Sequence, residues 1–183
     1  MGLQAKASGG FSLVVVLILL GALALASAHT MRSASSSAKV ANSFHMQAMA
    51  LQSAQTALYF CEQQLLQPEA QRLAQLLDAA LPVGTAAAPV WLQAARWRSA
   101  ALLSPPASWL ASGVLPVCMV EKQPLGAGHV HVVTARGFSP DWRGDTEAAT
   151  LGGSAVWLQS VVLVDAGEVR DRVQRRLLQP PVR

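Results

Sequence analysis

Residues 11–28 read FSLVVVLILLGALALASA, an apolar run without a single charged side chain. At about 1.5 Å of rise per residue this run makes a helix of about 27 Å, close to the roughly 30 Å hydrocarbon thickness of a bilayer. It is therefore long enough to span a membrane. Residues 29–67 that follow are mostly Ala, Ser, Gln, Met and Leu, with neither Pro nor Gly, so the helix is expected to continue. Ala54, Leu58, Cys61 and Leu65 alternate spacings of four and three, which puts them on one helical face that needs a covering surface. Pro68 ends the helix, because it lacks an amide donor and disfavours helical geometry at the preceding residue.

The pattern then changes twice. In residues 69–81, Leu73, Leu76, Leu77 and Ala80 share a helical face and Pro82 follows, which predicts a short second helix beside the first. Residues 83–113 carry Pro89, Pro105 and Pro106 and read as an irregular connection, with a helical turn around 90–103. Trp91, Trp97 and Trp109 in this stretch are read as core anchors. Beyond Gly113 the period falls to two. Residues 116–121, 128–135 and 155–165 are rich in β-branched side chains and bounded by Gly, Pro or Asp, the marks of antiparallel strands. Residues 168–178 fit either a helix face (Val169, Val173, Leu177) or a strand. The strand is preferred, paired with 155–165 through a turn at Ala166-Gly167, its charges guarding a sheet edge.

Composition excludes disorder: 52% of the residues are hydrophobic and 13% are charged. One core is expected for the part that follows the membrane run. The net charge of +4 is spread thinly, with Arg170, Arg172, Arg175 and Arg176 the densest group. That is a solvated basic face, and a nucleic-acid partner is not expected. Lys6, the only charged side chain before the apolar run, favours a cytoplasmic N-terminus. The domain beyond the membrane then meets an oxidising compartment, where Cys61 and Cys118 read as one disulfide, two buried thiols being the alternative.

The junction Gly9-Gly10-Phe11-Ser12-Leu13 resembles the cleavage site of type IV prepilins, in which a membrane peptidase cuts after Gly and methylates the new N-terminus. The membrane run Gly10-Phe11-Ser12-Leu13-Val14-Val15-Val16-Leu17, the stretch Met31-Arg32-Ser33 and the residues from Met46 to Leu58 are similar to PilX-type minor pilins. Gln55 stands where that family usually has Glu. Val133 to Gly137 with Leu158-Gln159-Ser160 resembles a strand pair late in the same proteins.

The resemblance implies a pilin-like α+β fold, a long N-terminal helix, its first half transmembrane, packed on a C-terminal antiparallel β-sheet. It implies a leader of residues 1–10, a transmembrane half of 11–28 and a periplasmic head of 29–183. Cleavage falls between Gly10 and Phe11, and Phe11 becomes the N-methylated terminus. The implied partners are other minor pilins, the major pilin, the prepilin peptidase and the inner membrane, with the head later carried on a surface fibre. Most pilins have Glu at the fifth mature position, where this chain has Val15, which points to initiation or the fibre tip. The implied role is pilus assembly, with effects on motility, adhesion or DNA uptake. Two alternatives stand: a type II secretion pseudopilin, and a secreted binding protein cut after Ala28, since Ala26-Ser27-Ala28 fits a signal-peptidase site.

Catalytic chemistry is not expected, nor is any cofactor or metal. His129 and His131 point to one face of a strand but have no adjacent third ligand, so they read as an exposed pair. Asp141, Asp145 and Glu147 do not have the spacing of an EF-hand loop and read as solvated acids. Arg143-Gly144-Asp145 is an adhesion tripeptide when displayed on a loop tip, and a chance match is the expectation. The phosphate-binding glycine spacing is absent, as is any nucleophile and base constellation.

Overall fold

The computed structural model describes residues 9–77, 79–99, 102–109, 113–126, 128–145, 149–165 and 168–178. The greater part of the expected leader, the acidic-loop residue Glu147 and the Ala166-Gly167 turn lie outside the described residues. One helix, α1, runs from Gly9 to Leu66. The chain divides into two units, one up to Phe44 and one from His45 onward. Within the first, every described side chain is exposed, the apolar ones from Leu13 to Leu25 included.

The second unit is built on an antiparallel sheet in the order β1-β2-β5-β6, with β1 at Val117–Leu125, β2 at Gly128–Phe138, β5 at Ala155–Asp165 and β6 at Glu168–Leu177. Two short strands, β3 (Arg143–Gly144) and β4 (Thr150–Gly152), form a separate hairpin that periodicity did not indicate. β1 runs beyond the expected end at 121 because it is an outer strand, where Pro124 displaces no internal ladder bond. Its outer edge is not bare. Leu103 and Cys118 exchange backbone hydrogen bonds at 2.9 and 2.8 Å, and Lys122 is bonded to Pro82 and Gly84.

The last turns of α1 lie on one sheet face. Ala50, Ala54, Ala57, Leu58, Cys61 and Leu65 are at most 3% exposed, meeting Val120, Val133, Ala135, Val156 and Val162. Small residues make the approach close: a Cβ at Gly137 would overlap the backbone of Ala50 and Ala54. The predicted stripe is thus buried by the predicted sheet, and the layout is α+β.

Among the described residues of 69–81 the expected second helix is not formed. Residues 69–81 contain two 3-10 turns, Glu69–Gln71 and Ala74–Leu76, separated by extended Arg72 and Leu73. A lone helix of this length is marginal, and tertiary packing decides its shape instead. The extended residues allow Leu76 and Leu81 to enter the core while Leu73 stays 38% exposed. Arg72 uses its freed position to donate from Nε to the Gln67 carbonyl at 2.8 Å, satisfying one acceptor beyond the end of α1. The helical turn expected around 90–103 is likewise two 3-10 segments, Val90–Leu92 and Ala94–Arg98.

The opposite sheet face is covered as well. The 3-10 segments and the β3-β4 hairpin lie across it while α1 covers the other side, on which His131 shares a face with Val133 and Ala135, so every β2 residue from Val130 to Phe138 is buried. This corrects the expectation for the histidines: His129 is exposed, but His131, registered between Lys122 and Val162, is 5% exposed. Trp97 is buried edge-on to Trp157 with centroids 4.4 Å apart, and Trp91 is half-buried, as anchors should be. Trp109 is 50% exposed, touching Phe60 edge-on.

Candidate assembly helix and polar clusters of the head

Three features could carry function: the apolar segment of α1, the cross-link at its far end, and polar groups buried on the outer sheet face. The first contains an 18-residue window of mean hydropathy 2.3, none of it buried, within one helix long and apolar enough to cross a membrane. Gly10 and Phe11 both lie within α1. Val15 is 39% exposed, less than its apolar neighbours Val14 and Val16 at 51%. No break in α1 occurs near Ala28, so the segment from 29 to 44 extends the same rod with a polar surface.

Cys61 and Cys118 form a disulfide with a Cα separation of 6.4 Å. It joins α1 to β1 at the point where β1 is also bonded to Leu103. A second tie between α1 and the sheet is ionic: Arg172 Nη1 donates to Glu62 Oε2 at 3.0 Å. Gln174 Nε2 reaches the other oxygen at 3.4 Å. The charges of β6 therefore do more than guard an edge.

On the outer face, Arg136 is 2% exposed and its guanidinium lies 4.9, 5.2 and 4.8 Å from the ring centroids of Phe138, Trp142 and Trp157. Burial lowers its pKa to about 10, with Asp145 acting in the opposite sense, so it remains a cation at neutral pH. Its Nη2 donates to Thr150 Oγ1 at 3.1 Å, and Trp142 Nε1 donates to the same oxygen. Cation–π contacts in such a desolvated setting are worth about 2 kcal/mol or more, which offsets part of the cost of burying the charge. The cluster fixes the β3-β4 hairpin to the sheet.

That hairpin contains the Arg143-Gly144-Asp145 tripeptide, but its acid is engaged: Asp145 Oδ1 accepts from the Ala149 amide at 2.8 Å. Asp141 accepts from the Ser139 hydroxyl. Among the described residues, no group of His, Cys, Asp and Glu has the arrangement to hold a metal.

Comparison with protein-family models, curated proteins and solved structures finds no match.

Glu121, 1% exposed, accepts from the Trp91 amide at 2.9 Å and from Gln123 Nε2 at 2.6 Å. It pins the 3-10 segment to β1. Desolvation raises its pKa above 4.5, outweighing those hydrogen bonds. The folded state thus holds this proton more tightly than the unfolded chain, and the corresponding stability is present below pH 4.5 and lost as pH rises through the folded pKa. Glu121→Gln, which can still accept from Trp91, is expected to remove that fall. The check is the urea midpoint of wild type and variant measured upward from pH 4.5.

Sequence periodicity missed Glu121, Arg136, Glu62 and Gln159, which are all buried. For Glu121 and Arg136 the available signal was a charge inside an apolar β run, together with tryptophans in the connecting loops.

Proposed function

We propose that the chain is a minor subunit of a type IV pilus-type filament, acting at initiation or the tip. The observation that carries this reading is one helix that begins as an exposed apolar span and ends as the scaffold of a disulfide-tied head. In this reading a prepilin peptidase cuts after Gly10 and methylates Phe11. Residues 11–28 hold the subunit in the inner membrane, with the head in the periplasm. During assembly the apolar segment leaves the lipid and packs against equivalent helices of other minor pilins and the major pilin. Such exchange is feasible because its surface stays in apolar surroundings in both states.

Val15 supports a place at the start or tip of the filament. A subunit added behind another has to neutralise the terminal amine already in the fibre, since an unpaired charge in apolar surroundings costs several kcal/mol. Val15 offers no carboxylate, so the subunit suits a place with no such amine ahead of it. Effects on motility, adhesion or DNA uptake would follow from fibre number.

The test is Gly10→Asp. The variant is expected to accumulate uncleaved in the membrane and to be absent from sheared fibres, where the wild-type chain is a minor component. A processed variant of normal size would contradict the proposal. A chain cut after Ala28 would be indifferent to this substitution.

A further inference from the structure

The outer sheet face carries a small cavity of about 170 Å³ lined by Trp91, Gln123, Val132, Gln159, Val161 and Arg175. Its polar side chains are held in a relay. Gln159, 1% exposed, donates from Nε2 to Thr134 Oγ1 at 3.0 Å, and its carbonyl oxygen accepts from both Nε and Nη2 of Arg175, at 3.0 and 2.6 Å. An amide buried this deeply on a sheet face costs desolvation unless both ends are engaged, and here both are. The result is a guanidinium fixed in one orientation, its Nη1 hydrogens without a protein acceptor among the described residues.

Gln123 is oriented in the same way. Its Nε2 is committed to Glu121, which leaves its carbonyl oxygen as an acceptor at the cavity. Glu121 itself does not line the cavity; its oxygens accept from the Trp91 amide and from Gln123 Nε2. Trp91 adds an aromatic surface, and Val132 and Val161 make the floor apolar.

A larger groove of about 500 Å³ beside residues 74–82 contrasts with this site. Among the described residues, Arg96 is the one charged side chain lining it, and no hydrogen bond orients that side chain. The smaller cavity is the preorganised one.

We propose that this cavity binds a single acidic sugar ring, a uronate, on the surface of the head. Arg175 takes the carboxylate as a charge-assisted pair, the Gln123 carbonyl accepts a ring hydroxyl, and Trp91 faces the apolar side of the ring. The volume admits one ring and no more, below the range typical of drug-sized ligands. This binding is independent of filament assembly and stands whether or not residue 10 is a cleavage site.

The test is isothermal titration of the full chain in detergent micelles at low salt, with glucuronate, glucose and benzoate as probes. Glucuronate is expected to bind saturably, and glucose and benzoate at least about tenfold more weakly, because each lacks one of the two polar anchors. Arg175→Gln is expected to lower glucuronate affinity by about tenfold or more. Arg175→Lys keeps the charge but lacks the fork, and is expected to bind measurably more weakly with the fold retained. Absence of saturable glucuronate binding by the wild type, equal binding of glucose, or unchanged affinity in Arg175→Lys would each overturn the proposal.

Discussion

Replacing Cys61 and Cys118 together by alanine is expected to lower the stability of the head by about 4 kcal/mol, the chain-entropy value for a loop of this length. The loop spans 57 residues and contains the whole connection from α1 to β1. Its turns at 69–76 and 90–98 are too short to hold themselves; the first is anchored through Leu76 in the core beside the cross-link, where Leu81 and Leu103 also lie, and the second through Val90 and Trp97 on the outer face. Both cysteines are fully buried, so alanine adds no buried polar group, and the loss reports the cross-link plus a small cavity. Denaturant unfolding of the full chain in micelles, read by tryptophan fluorescence, gives the difference. A loss under about 1 kcal/mol would mean that hydrophobic contacts alone hold this connection.

A substitution of comparable size needs no chemistry. Gly137→Ala is expected to destabilise by about 3 kcal/mol or more, at the upper end of overpacking costs, because the new methyl would meet helix backbone, which has no rotamer to yield. The seam would open where Ala50 and Ala54 lie on β2 and where the Phe138 amide donates to Ser53 Oγ at 3.4 Å. Gly152→Ala is the control, since a Cβ there has nothing within 4 Å. It should change stability by less than about 0.5 kcal/mol in the same denaturation experiment. Equal effects of the two substitutions would show that the helix does not depend on this close approach.

These two sites also show how far the sequence could be read. Cys61 belongs to a stripe with Ala54, Leu58 and Leu65, and all four are buried, because helical periodicity and a sheet partner are both local signals. The strand at 155–165 was legible through alternation and β-branching, whereas 168–178 fitted helix and strand alike and is resolved by its pairing with 155–165 as the strand Glu168–Leu177. Gly137 was not: its requirement comes from the distance between two elements, which periodicity does not encode. The apparent helix at 69–81 failed for a related reason, since the spacing of Leu73, Leu76 and Leu77 is compatible with several backbones and core contacts chose another.

The outer face was the least legible part. Val132, Thr134 and Arg136 would face solvent in a sheet with one covered side, and only the folding back of Trp91, Trp97 and Trp142 buries them. Arg136 and Gln159 then become structural through partners far away in sequence. Arg172 and Arg175, read as edge guards, are turned to Glu62 and Gln159 instead.

The central claim is that residues 11–28 stay attached to the head and build a filament. Mass spectrometry of the N-terminal peptide of the mature chain, taken from native cells, tests it most directly. The account predicts a chain that begins at Phe11 with a methylated amine. A chain that begins at His29 would contradict it, because the apolar segment would then be a discarded signal sequence.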